Sequence, residues 1–169
     1  DSLAAVKRAI PERILLATRL SVADMVPYPY GFGTTAAGGL DLTEPDLLLE
    51  RLVAEGVQML NVTVGNPYYN PHVNRPYRKG GYEPPERAQE GLERFEYIEG
   101  HIKEKFPMLT VVGSGLSYYR DDLMEQSERQ LREGICDLVG YGRMWLAYPE
   151  FYRDFSAGRF EAKKCCMAC

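Results

Sequence analysis

The sequence has no long apolar segment, no excess of positive charge and a single cysteine outside its last five positions. No apolar run approaches the roughly 18 residues that a membrane-spanning helix needs. Asp and Glu (24) outnumber Lys and Arg (20), which gives a net charge of −4 and leaves no basic stripe for a nucleic-acid backbone. The N-terminus also lacks the apolar region of a signal peptide. We therefore expect a cytoplasmic protein that binds neither membranes nor nucleic acid.

The composition is that of a globular domain. Hydrophobic residues make up 45% of the 169 positions, aromatic residues 11% and charged residues 26%. A chain of this kind can bury a core, which excludes a disordered tail, a collagen-like fibre and a disulfide-framed miniprotein. The first residue is Asp1 rather than Met, and we expect the sequence to be a segment of a longer protein.

Strand-like apolar runs alternate with helix-like segments along the chain. The predicted strands and helices are 14–20, 43–55, 57–64, 90–106, 109–112, 121–133, 136–139 and 144–157, in the order strand, helix, strand, helix. This alternation favours right-handed βαβ units and an α/β fold with a parallel sheet. The connections after strands are long and those after helices are short, as in a (β/α)8 barrel or a doubly wound sheet. Because a complete barrel needs about 250 residues, the four units predict either a small open sheet or half of a barrel.

Glycine-rich turns follow the third and fourth predicted strands. They are Gly113–Ser114–Gly115 and Gly142–Arg143. Small residues let backbone N–H groups approach a phosphate, and the guanidinium of Arg143 adds a charged fork. Each turn alone is more often an ordinary connection. The two together match the phosphate site between strands seven and eight of a barrel, which makes the visible strands five to eight.

Arg19 and His72 are the other candidates for chemistry. Arg19 ends the first predicted strand, where it is either an ion-paired rim residue or a fixed positive charge that stabilises an anionic reduced flavin. His72 lies in the long loop after the second strand and is either an exposed loop residue or a proton donor. His101 shares a polar helix face with Glu99 and Lys103 and is expected to face solvent.

Three of the four cysteines lie at the C-terminal end, at Cys165, Cys166 and Cys169. Cys166 and Cys169 have the CxxC spacing that is typical of half of a zinc or iron–sulfur site. The residues by themselves leave open whether this is a truncated cluster motif or a set of incidental thiols. Cys136 heads an apolar run and is expected to be a buried small residue.

Taken together, these segments resemble the Old Yellow Enzyme family. The matching motifs are Thr-Arg19-Leu-Ser, Leu60-Asn-Val-Thr-Val-Gly65, Val-Val-Gly113-Ser-Gly, Gly-Tyr-Gly142-Arg143 and Ala147-Tyr-Pro149, followed by the cysteines. Within the family they resemble the iron–sulfur branch, which contains NADH:flavin oxidoreductases and 2,4-dienoyl-CoA reductases. The order and approximate spacing of the motifs agree over nearly the whole chain.

The resemblance implies two parts of the chain and a set of ligands. Residues 1–160 are expected to be the C-terminal half of an FMN-binding (β/α)8 barrel, and residues 161–169 the start of a truncated iron–sulfur motif. The residues implied in FMN binding are Arg19 at the pyrimidine edge and, at the phosphate, Gly113, Ser114, Gly115, Gly142 and Arg143. In the full-length protein, Cys166 and Cys169 are the implied ligands of a 4Fe–4S cluster. His72 is implied to assist proton delivery.

The implied activity is the reduction of an activated C=C bond in a small unsaturated molecule. Hydride passes from NAD(P)H to FMN and from FMN N5 to the substrate, while the cluster relays electrons in the full-length enzyme. We expect this chain to be inactive alone. The alternative is a non-redox, phosphate-binding barrel enzyme of the aldolase or isomerase type. It needs a lysine or paired carboxylates at the strand ends, and the sequence has no lysine there.

Half of a barrel leaves both of its outer strands unpaired and its inner face uncovered. We expect Leu16, Val62, Val111 and Leu138 to contribute to an apolar inner face. Because leaving such side chains in water costs roughly 1.5–3 kcal/mol each, the chain is expected to form a homo-oligomer that closes the half-barrel edges.

Overall fold

The structure is a computed structural model that describes residues 2–167. Helices and strands alternate along most of the chain. In order, the elements are α1 (Ser2–Ala9), β1 (Ala17–Ala23), α2 (Thr43–Ala54), β2 (Met59–Val64), α3 (Pro71–Asn74), α4 (Ala88–Lys105), β3 (Thr110–Gly113), a 3-10 helix (Leu116–Asp122), α5 (Leu123–Arg132), β4 (Leu138–Val139), α6 (Arg143–Ala147), α7 (Phe151–Ser156) and a second 3-10 helix (Ala162–Lys164).

The four strands form one parallel sheet in the order β1-β2-β3-β4. Each strand is followed by helical structure before the next strand begins, as βαβ units require. The predicted α/β fold class is therefore confirmed: the described chain has the sheet order and helix placement of half of a β/α barrel. Strands β1 and β4 are the outer strands, and association of two copies through them stays a prediction.

The bounds of several elements differ from the predicted ones. Strand β1 begins at Ala17, because its ladder starts opposite Met59, whereas Ile14 belongs to a preceding turn in which its N–H bonds to the Pro11 carbonyl. The last predicted helix, 144–157, is divided into α6 and α7. Pro149 lies between them, and proline has no N–H with which to continue a helix.

One face of the sheet is covered by α2 and α4 and contains the main hydrophobic core. The buried side chains are Leu49, Leu60, Val62, Val64, Phe95, Ile98, Ile102, Leu109 and Val111. The predicted inner-face positions Val62 and Val111 are therefore wrong: both are 0% exposed on the helix-covered face. Because side chains alternate along a strand, the adjacent residues occupy the uncovered face instead. These are Asn61, next to Val62, and Val112, next to Val111.

Helix α4 is tied to α2 by charged groups. His101 Nε2 lies 2.9 Å from Asp46 Oδ1, and Lys105 Nζ lies 2.8 Å from Asp46 Oδ2. Burial opposes ionisation of Asp46, but the hydrogen bonds from Lys105 and His101 outweigh it and lower the pKa of this carboxyl. The prediction that His101 faces solvent is therefore wrong, because its imidazole contacts Asp46 between the two helices. Glu99, which belongs to the same predicted polar face, is fully buried.

A second, smaller cluster of buried side chains lies beside the sheet. It contains Leu116, Leu123, Met144, Tyr148, Phe151, Cys165 and Cys166. It joins the segment after β3 to α6, α7 and the C-terminal segment, and so fixes the loops that follow β3 and β4. No helix within residues 2–167 is both long and apolar enough to cross a membrane.

Candidate functional site

A cavity of about 500 Å³ lies over the uncovered face of the sheet. Every strand, or the segment directly after it, contributes to its lining, and the cavity reaches the carboxyl ends of β3 and β4. Three arginines line it: Arg19, Arg75 and Arg143. Within residues 2–167 no Asp, Glu or Lys belongs to the lining. The cavity is therefore suited to an anion.

Arg19 lies in a row of residues that crosses the sheet. The parallel register sets Arg19 beside Asn61, Asn61 beside Val112 and Val112 beside Leu138. Arg19 is therefore in the middle of β1 rather than at its end, and its side chain is exposed on the open face. In the part of the chain that the structure describes it makes no ion pair, so the ion-paired rim alternative has no partner there.

Asn61 connects β2 to the turn after β3. Its Nδ2 donates to the Val112 carbonyl at 3.1 Å and to Ser114 Oγ at 3.0 Å. Neither Asn61 nor its cavity-lining neighbour Thr63 is among the site residues predicted from the sequence. The signal was present, since these polar residues alternate with Leu60, Val62 and Val64, which is typical of a strand with one apolar and one polar face.

The two glycine-rich turns meet at the same cavity. Ser114 and Gly115 line it together with Gly142 and Arg143, and the Gly140 N–H donates to the Gly113 carbonyl at 2.8 Å, which joins the two segments. Gly115 has φ +88°, a left-handed conformation that favours glycine. The structure thus brings together four of the five residues predicted at the phosphate.

Gly113 and the backbone amide of Ser114 differ from the prediction. Gly113 is buried behind the turn and does not belong to the lining. The Ser114 N–H donates to Glu99 Oε1 at 2.8 Å, away from any cavity ligand. Ser114 therefore offers the cavity its hydroxyl group rather than its amide. No acceptor for the Gly115 N–H occurs among residues 2–167, which leaves this amide available to an anion.

Tyr141 adds an aromatic wall beside Gly142. Its hydroxyl is hydrogen-bonded to Ser127 Oγ, which in turn donates to the Leu123 carbonyl at 2.6 Å. Burial raises the pKa of Tyr141 above its usual range, so the phenol remains neutral. Tyr141 therefore contributes an apolar ring to the cavity and no negative charge.

His72 lies next to the cavity and outside its lining. It belongs to α3, whose last residue, Asn74, lines the cavity together with the following Arg75. The Nδ1 atom of His72 is 2.6 Å from the hydroxyl of Tyr82, and this bond fixes the plane of the imidazole. Proton delivery by His72 stays a prediction.

The cysteines do not form a metal site within the described chain. Cys165 and Cys166 are 3% and 8% exposed and pack in the second cluster. Burial raises the pKa of Cys165, which favours its neutral thiol. Cys169 lies outside the described residues, and within residues 2–167 no three His, Cys, Asp or Glu side chains are grouped as metal ligands. The prediction for Cys136 is confirmed, since it is 2% exposed.

The chain thus combines a parallel α/β sheet with an arginine-lined cavity that reaches the carboxyl ends of its strands, the location at which parallel α/β folds bind their ligands. No family model matches the sequence. A bilirubin reductase from Mediterraneibacter gnavus (strain CC55_001C) is 25% identical over 132 residues. The aligned region is 78% of this chain and 18% of that protein, so the chain spans about a fifth of the length of the curated relative it matches.

Proposed function

We propose that this chain is part of an FMN-dependent oxidoreductase of the Old Yellow Enzyme family and that the cavity holds the flavin. The observation that carries the proposal is the convergence of three arginines and two glycine-containing turns on one cavity, whose lining among residues 2–167 contains no carboxylate. Similarity to a protein named bilirubin reductase supports the oxidoreductase part. NAD(P)H as reductant and a small unsaturated substrate are proposed for the whole protein, of which this chain is one part.

The lining fits the two chemically different ends of FMN. At the phosphate end, the Gly115 N–H, the Ser114 hydroxyl and the Arg143 guanidinium are donors, and Gly142 leaves room for the anion. At the ring end, Arg19 supplies a fixed positive charge on the open face of the sheet. When bound, FMN supplies hydride transfer from a pyridine nucleotide to an activated C=C bond.

In this proposal Arg19 and His72 have separate tasks. The Arg19 charge stabilises negative charge at the pyrimidine edge of the ring, and this interaction is stronger where the ligand excludes water. His72 holds a proton for the substrate at Nε2, because its Nδ1 is engaged by Tyr82.

We also propose that Cys166 and Cys169 are ligands of a 4Fe–4S cluster in the full-length protein. Residues 1–160 are then the flavin half-barrel, and residues 161–169 are the start of the cysteine motif. Cys165 and Cys166, the two buried thiols that the structure describes at this end of the chain, are too few to ligate a cluster by themselves. We therefore assign no step of the reaction to the cluster.

The aldolase or isomerase alternative lacks its reacting groups at this cavity. A Schiff-base enzyme needs a lysine within reach of the substrate, and an enolising isomerase needs a carboxylate or another base. Among the described residues, the lining contains neither lysine nor carboxylate. The cavity therefore favours a ligand that brings its own chemistry, as a flavin does.

Flavin binding to the 169-residue chain tests the proposal, with fluorescence quenching as the measurement. We expect saturable binding of FMN and weaker binding of riboflavin, which has the same ring and no phosphate. Arg143→Gln should weaken FMN binding about tenfold, equivalent to about 1.4 kcal/mol, and change riboflavin binding less than about twofold. Arg19→Gln should weaken both ligands by a similar factor, because it acts on the ring.

Arg132→Gln is the matched control. It removes an exposed arginine at the end of α5, outside the cavity lining, and should leave both affinities unchanged. Absence of saturable FMN binding, or an equal loss of FMN affinity in Arg132→Gln and Arg143→Gln, would contradict the flavin assignment.

A further inference from the structure

Glu99 is a buried carboxyl group directly behind the turn that lines the cavity. It projects from α4 and is 0% exposed. Oε1 accepts the Ser114 N–H at 2.8 Å, whereas Oε2 has no hydrogen-bond partner in the part of the chain that the structure describes. A buried polar atom without a partner is costly, so its retention needs a reason.

The strand end is packed tightly against this group. A Cβ atom added to Gly113 would lie 3.0 Å from both Glu99 Oε2 and Cys136 Sγ. The carboxyl and the thiol therefore fill the space behind Gly113, while Ser114 and Gly115 face the cavity on the other side. One turn of backbone separates Glu99 from any anion bound there.

Among residues 2–167, Glu99 forms no ion pair with a cation. Glu96 of α4 and Cys136 of the segment before β4 interact with it electrostatically, and Gln130 of α5 donates a hydrogen bond to Glu96 Oε1 at 3.0 Å. Arg129 is ion-paired with Glu96.

Lys103, the nearest lysine on α4, is also ion-paired with another residue. Lys103 is bonded to Asp137 at 2.8 Å. Burial raises the pKa of Glu99 to about 8, and burial together with Glu99 raises the pKa of Cys136 to about 11. Both groups behind the turn are thus uncharged at neutral pH.

We propose that Glu99 is a positioning residue of the cavity and that anion binding requires its protonated form. The protonated carboxyl fixes the Ser114 amide, and through it the Ser114 hydroxyl and the Gly115 N–H, without placing a negative charge behind the bound anion. An ionised Glu99 would repel a dianion across a turn that excludes water. Anion binding and ionisation of Glu99 therefore oppose each other. A bound anion favours the protonated form of Glu99, and loss of that proton weakens anion binding.

This inference rests on the proposed function only in treating the cavity as an anion site, and sulfate tests it without flavin. Sulfate remains a dianion between pH 7 and pH 9. We expect its dissociation constant for the wild-type chain to rise about tenfold over this range, because Glu99, whose pKa is about 8, ionises. Glu99→Gln, which keeps an acceptor for the Ser114 amide and cannot ionise, should bind sulfate at pH 7 within about twofold of wild type and show less than a twofold change by pH 9.

Glu104→Gln is the matched control: it makes the same substitution on the same helix at an exposed position and should follow wild type. Glu99→Gln with the pH dependence of wild type would overturn the proposal, as would a folded Glu99→Gln that no longer binds sulfate at pH 7.

The Ser114 amide resonance provides a measurement that needs no variant. Its NMR shift should report ionisation of the carboxyl to which it is bonded, and saturating sulfate should move that titration to higher pH. An unchanged titration would overturn the proposal. The flavin assignment can fail independently of this proposal. Sulfate binding that depends on pH, without FMN binding, would contradict only the flavin assignment. FMN binding without sulfate binding would contradict only the role of Glu99.

Discussion

The two faces of the sheet are built from alternate residues of the same strands and differ in what they contact. Leu60, Val62 and Val111 are fully buried beneath α2 and α4. One position along, Asn61 and Val112 line the cavity. Because one strand register serves both faces, the sheet holds its core on one side and its candidate site on the other. Substitutions on the covered face should therefore affect stability, and those on the open face should affect binding.

At a fixed pH, the largest expected difference is between neighbouring valines of β3. Val111 is 0% exposed, whereas Val112 is partly exposed in the cavity lining. Val111→Ala should lower the free energy of unfolding by about 2 kcal/mol, since it removes buried apolar volume. Val112→Ala should lower it by less than about 1 kcal/mol. Urea unfolding followed by circular dichroism measures both, and equal losses would mean that the two faces are equally buried.

The next difference concerns charge on the covered face. The folded chain keeps Glu99 protonated up to about pH 8, whereas the unfolded chain releases that proton near the usual value of 4.5. Wild-type stability should therefore fall as pH rises from about 4.5 to about 8, relative to Glu99→Gln, by up to about 1.4 kcal/mol per pH unit.

Urea midpoints of wild type, Glu99→Gln and Glu104→Gln between pH 5 and pH 8 measure this effect. Glu104 is exposed, so its substitution should leave the pH dependence unchanged. A constant difference between Glu99→Gln and wild type across this range would show that Glu99 is ionised in the folded chain.

Asn61 on the open face has a smaller expected effect on stability than Val111 or Glu99. Asn61→Ala removes the hydrogen bonds to Val112 and Ser114 and should cost about 1 kcal/mol in unfolding free energy. It should also weaken FMN binding about fivefold, because the Ser114 side chain loses its support; this loss equals about 1 kcal/mol. Thr110→Ala is the matched control. Thr110 lies on the same face outside the cavity lining, and its substitution should leave FMN binding unchanged. Equal flavin affinities for both variants would contradict the role of Asn61.

Glu99 shows why local sequence patterns do not predict the whole site. A negative residue near His101 and Lys103 predicts a solvated helix face. The spacing of Leu92, Phe95 and Ile102 nevertheless sets Glu99 in the middle of the buried stripe of α4, since positions three, four and seven apart share one side of a helix. Charge alone predicts exposure, and only the packing of α4 on β3 shows what faces this carboxyl.

The sequence by itself determined the α/β class, the order of strands and helices, and the glycine-rich turns that end β3 and open α6. These features depend on local periodicity and turn chemistry, which short stretches of chain contain. Tertiary structure alone decided that Arg19 lies mid-strand beside Asn61, that the Ser114 amide is directed to Glu99, and that Gly113 lies behind the cavity. Strand register and the direction of an amide depend on partners 15 to 53 residues away in the chain, and no local pattern encodes such distant contacts.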